Sequence, residues 1–172
     1  MTRVHRFHPT VYPRKSGIIL LAAMMFLGCI AGIWLSCGAR DSFADAATVL
    51  SVPAAGIAPV MVLLLPLVLS ALAVYIQRPV FLLPLAFWKA FFFSYVFAGF
   101  MGVWGGGGWL VSSLGLFSGI CSLPVLCRYW LRHIGGAGFS FRTFLPALAM
   151  LILIRLADLQ MISPFLADIL IS

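Results

Sequence analysis

The chain has 172 residues, of which 63% are hydrophobic and 9% charged, with a formal charge of +7. An ordinary soluble domain carries about 45–50% apolar and about 25% charged residues, so the water-soluble globular class is excluded. The apolar runs are continuous rather than alternating, which excludes a transmembrane β-barrel and leaves an all-α polytopic bundle of about five membrane-spanning helices.

The acidic residues are all aspartates, Asp41, Asp45, Asp158 and Asp168. In a soluble chain such a basic balance would point to nucleic acid. Here it follows from Arg and Lys being kept in the cytoplasmic loops of a membrane protein. No Arg/Lys-rich patch is interleaved with exposed aromatics, so nucleic acid is not an expected partner.

Residues 1–16 form a basic arm with Arg3, Arg6, Arg14 and Lys15. Pro9 and Pro13 oppose a continuous helix there. The arm precedes the first apolar run and is assigned to the cytoplasm. His5 and His8 are read as residues of a flexible arm rather than as metal ligands.

The first span covers residues 17–38. A signal peptide competes, because Ala-Asp-Ala at 44–46 resembles a cleavage site. The apolar run of about twenty residues exceeds the usual 7–15 of a signal core, so the span is read as retained. Gly28 and Gly32 form a GxxxG pair that lets another helix approach closely. The outer connection, residues 39–58, holds Asp41 and Asp45, read as caps and solvated groups rather than as a cation site.

The second span covers residues 59–76, with Pro66 expected to kink it. Gln77 and Arg78 then make a tight inner turn. The third span, residues 79–104, carries Lys89 amid Phe87, Trp88, Phe91, Phe92, Phe93 and Tyr95. A lysine near the middle of a span costs about 3 kcal/mol unless it finds a partner or water. The four glycines at 105–108 lack the following Gly-Lys-Ser/Thr of a phosphate loop and read as a turn between Trp104 and Trp109.

The fourth span, residues 109–126, is rich in small residues: Ser112, Ser113, Ser118, Ser122, Gly115 and Gly119. That density marks a helix packed among others. Residues 127–142 form the longest inner connection, with Arg128, Arg132, His133 and Arg142. It is expected to begin as a helix, break at the Gly-Gly-Ala-Gly of 135–138, and bind anionic lipid headgroups at the inner face. A docking surface for a cytoplasmic partner is the alternative reading.

The fifth span, residues 143–163, carries Arg155 and Asp158 on one face. Two readings are open: an ion pair near the outer headgroups, or Asp158 paired across helices with Lys89. Residues 164–172 are too short to cross again and form an outer tail. The cysteines Cys29, Cys37, Cys121 and Cys127 have no CxxC spacing, and no metal site is expected.

At the third and fourth spans the chain resembles the stage II sporulation protein M family of integral membrane proteins. The matching features are WKAFFFSYVFAGF at 88–100, the glycine-rich turn, and SLPVL at 122–126. The family often has Lys-Gly where this chain has Lys89-Ala90, and Gln-Asn near the Leu-Pro element where this chain has Ile120-Cys121-Ser122. The resemblance implies five or six spans and no catalytic centre. In endospore formers the family belongs to a complex that holds peptidoglycan-degrading enzymes at the engulfing septum.

The expected function is a non-catalytic scaffold or assembly subunit of a complex in the bacterial cytoplasmic membrane. Its partners would be the lipid bilayer and other membrane proteins or a second copy. No catalytic residues and no cofactor are expected, since no HExxH, Ser-His-Asp or EF-hand pattern occurs. A small transporter or permease subunit, with Lys89, Arg155 and Asp158 along a polar path, is the alternative.

Overall fold

A computed structural model of the chain describes residues 14–39, 43, 57–134 and 137–162. Most of the basic arm, Asp41 and Asp45 of the outer connection, and the 164–172 tail lie outside the described residues. Every regular element among the described residues is helical. Three stretches are long and apolar enough to cross a membrane: Lys15–Cys37, Leu82–Trp104 and Phe141–Ile162. Each of the first two has 23 residues, about 35 Å of helix against about 30 Å of hydrocarbon. Helix is the form such sequences take because each backbone N–H and C=O is then satisfied within its own segment.

Helix α1 is Arg14–Cys37. Helix α2, Ile57–Tyr75, keeps Pro66 inside it. It ends in a Schellman motif: Gln77 takes a left-handed φ of 59°, and the amides of Arg78 and Gln77 bond back to the carbonyls of Ala73 and Val74 at 2.9 and 3.0 Å. A 3₁₀ turn over Pro79–Phe81 follows and leads directly into α3, Leu82–Trp104. The tight turn expected at Gln77 and Arg78 is therefore present, and its reversal is made by a non-glycine residue.

After a 3₁₀ turn at Gly105–Gly107 come α4, Gly108–Gly115, and α5, Phe117–Ile134. The two join at Leu116, where Leu116 N–H reaches Ser112 O at 2.9 Å and Ile120 N–H reaches Leu116 O at 2.8 Å. The helical stretch expected at 109–126 is thus interrupted once and runs on through Pro124 to Ile134. The continuation has a physical cause. Leu126, Tyr129, Trp130, His133 and Ile134 recur at three- and four-residue spacing and are all buried, so ending the helix at Leu126 would forfeit that packing. Helix α6 is Phe141–Ala157; it closes in a π-helical turn, Asp158–Ile162.

The core gathers Leu21 from α1, Leu67 from α2, Leu82 and Ala86 from α3, Leu126 and Trp130 from α5, and Leu151 from α6. Many large apolar side chains face outward instead, among them Phe26 and Trp34 on α1, Trp88 and Phe92 on α3, and Leu145 and Leu153 on α6. That outside suits lipid, where apolar exposure carries no cost.

Candidate functional site

The closest helix–helix approach is built from small residues. A Cβ placed on Gly32 of α1 would stand 2.5 Å from the Phe91 carbonyl oxygen and 2.9 Å from the Tyr95 nitrogen of α3. One placed on Gly28 would stand 3.1 Å from the Phe91 nitrogen and would also collide with the Phe87 carbonyl. Higher numbers on α1 meet higher numbers on α3, so the two helices run parallel. On α3 the facing stripe is Ala86, Ala90 and Ser94, all buried. Ser94 turns its hydroxyl onto its own helix, donating to Ala90 O at 2.9 Å. Above this seam the buried ring of Phe43 lies over Gly99, 5.1 Å from Tyr95 and 5.7 Å from Phe100 between centroids.

Lys89 lies on the same side of α3 as Phe93 and is half-buried. Along α3 the aromatics pair with one another: Phe87 stacks on Phe91, Phe91 on Tyr95, and Phe93 on Phe97. Phe93, one turn beyond Lys89, comes to 3.7 Å from the Cβ position of Gly119 on α5. Gly119 is thus a packing contact between α3 and α5, while Gly115 closes α4.

Among the described residues the one ion pair joins Arg155 to Asp158, within a single helical run. Their side chains are 13% and 7% exposed, so the pair is largely buried within the fold. Asp158 takes Arg155 as its partner, and Lys89 has no part in that pair. The aspartate opens the π turn, a geometry that shifts side-chain register and recurs at functional positions. The Arg155 Nε is buried without a hydrogen-bond partner among the described residues.

Two polar links tie α5 to its surroundings, and neither was expected from the sequence. The Trp130 indole N–H donates to Ser70 Oγ at 2.7 Å, and Ser70 donates onward to the Pro66 carbonyl at 2.5 Å. His133 is 1% exposed, and its Nδ1 lies 2.8 Å from the Ala137 carbonyl. A carbonyl only accepts, so Nδ1 carries the proton. Burial lowers the His133 pKa, the Ala137 bond partly raises it, and the Arg132 charge lowers it again. The ring packs on Tyr129 at 4.3 Å. The Tyr129 hydroxyl and the His133 Nε2 are buried without partners among the described residues.

Among the described residues the exposed basic side chains share one end of the bundle. Trp130 meets Ser70 and Phe139 meets Tyr75, so α2 and α5 finish together, where α3 and α6 begin. Helix α1, parallel to α3, also starts there. Lys15, Arg78, Arg128, Arg132 and Arg142 are all exposed toward that end. The four cysteines are unpaired.

The chain matches no protein-family model, no curated protein and no solved structure.

Proposed function

We propose that the chain is a non-catalytic, multi-pass protein of the bacterial cytoplasmic membrane, acting as a scaffold or assembly subunit of a membrane complex. About five spans and a cytoplasmic basic end belong to this reading. The observation that carries it is how buried polar side chains are used. Trp130 is bound to Ser70, Ser94 to its own helix, His133 to Ala137 and Asp158 to Arg155. Each of these groups is engaged by a partner inside the fold. The resemblance to the stage II sporulation protein M family adds peptidoglycan remodelling as the context in which to look for the complex.

A photo-cross-linking residue at Phe92, exposed on α3, tests the reading in intact cells. A scaffold yields a protein adduct of discrete mass that disappears when the cross-linker is moved to buried Leu82. Adducts with lipid alone would count against it.

A second reading, a small transporter or permease subunit, is favoured by one observation: Lys89 is half-buried on a long apolar helix and outside the only described ion pair. A charge in that setting calls for water or a passing ligand. Lys89→Met would abolish flux in proteoliposomes under this reading and leave complex assembly unchanged under the first.

A further inference from the structure

The outward face of α5 changes character within one turn. Ile120, Pro124, Arg128 and Arg132 are spaced four apart and all exposed, so they form one stripe that passes from apolar to cationic. The opposite face cannot rotate away, because Trp130 is wholly buried and bonded to Ser70. At the same height α2 still presents apolar surface, with Val68, Leu69 and Leu72 exposed on either side of Ser70. Leu131 is exposed beside the two arginines as well. Arg128 therefore stands where the neighbouring surface is still suited to acyl chains. The one described carboxylate, Asp158, is buried and taken by Arg155.

We propose that Arg128 and Arg132 form a binding site for the phosphodiester of an anionic phospholipid. Two guanidinium groups one helical turn apart match a single phosphate, which each can engage through paired N–H donors. The lipid phosphate lies at this depth already, whereas an acidic protein would have to reach past the headgroups to meet Arg128. Arg142, exposed in the first turn of α6, adds positive potential at the same end. The assignment rests on α5 crossing the headgroup boundary and is independent of the scaffold role.

The test uses the full chain in nanodiscs of mixed phosphatidylcholine and phosphatidylglycerol, with retained lipids counted by native mass spectrometry after mild delipidation. The wild type should retain phosphatidylglycerol preferentially. The double variant Arg128→Gln/Arg132→Gln should lose about tenfold of that preference, and Arg128→Lys/Arg132→Lys, which keeps the charge without the paired donors, should lose less than the glutamine variant. Arg78→Gln, which removes another exposed charge at the same end, should change it less than twofold. An unchanged melting temperature in pure phosphatidylcholine separates lost binding from lost folding. A wild type without preference, or an equal loss in Arg78→Gln, would overturn the site. Unchanged preference in the double glutamine variant would overturn it too, and would leave the stripe to an acidic protein partner.

Discussion

The indole nitrogen of Trp130 lies 2.7 Å from the hydroxyl of Ser70, and both residues are completely buried. This bond fixes the height of α5 against α2. Ser70 in turn donates to the Pro66 carbonyl one turn back on its own helix. Removing the serine strands a buried N–H, which costs about 1–3 kcal/mol. Removing only the indole nitrogen leaves Ser70 its bond to Pro66.

Ser70→Ala should therefore lower the thermal midpoint in detergent more than a change at Trp130 that keeps its bulk. Because the two residues share one bond, Trp130→Phe combined with Ser70→Ala should fall short of the sum of the single effects. Additive losses would mean that the bond contributes nothing.

The seam between α1 and α3 predicts a sharp positional contrast. Gly32→Leu would push a side chain into the Phe91 carbonyl, which α3 cannot yield without moving its backbone. Overpacking of this kind costs about 1–3 kcal/mol or more. Gly38→Ala meets only Leu35 O of its own helix end, at 3.8 Å, and should be neutral. Size-exclusion profiles and melting curves of the two variants check this.

Asp158→Asn should destabilise the protein strongly, about 3–5 kcal/mol, because it leaves the Arg155 charge buried and unpaired. Arg155→Met together with Asp158→Asn should recover most of that loss. Lys89→Met combined with Asp158→Asn should instead be additive, since Asp158 is committed to Arg155. Thermal unfolding of the full set separates the two pairings.

His133 gives the pH dependence. Its folded pKa lies below the ordinary value of about 6.5, so the unfolded chain binds the proton more readily. Its contribution is complete above about pH 6.5 and is lost as pH falls through the lowered folded value. Melting temperature should drop between neutral and acid pH, and His133→Gln should flatten that drop. A slope unchanged in the variant would assign it to another group.

The all-helical class was readable because long apolar runs dominate the chain, and three of the helices are long and apolar enough to cross a membrane. Gly28 and Gly32 announced a close helix contact by their spacing, and that contact is the α1–α3 seam. The partner helix was not readable, since Ala86, Ala90 and Ser94 look like any small residues until α1 is laid against them. Trp130 and His133 were placed in a connection because Arg128 and Arg132 interrupt the hydropathy. That connection is expected to begin as a helix, and helix runs to Ile134; the recurrence of Leu126, Tyr129, Trp130, His133 and Ile134 is the signal that marks its buried face. Asp158 offered two partners of opposite charge. Only three-dimensional placement separates a neighbour three residues back from one on another helix.

The most direct test of the scaffold account is water access at position 89. Lys89→Cys, in a chain whose four cysteines are replaced by serine, would be treated in sealed vesicles with a charged, membrane-impermeant thiol reagent from each side. A scaffold predicts no reaction from either side, with Cys37 restored alone as a reactive control, since it is exposed at the end of α1. Rapid labelling at position 89 would reveal an aqueous path into the bundle. It would contradict the scaffold account in favour of transport.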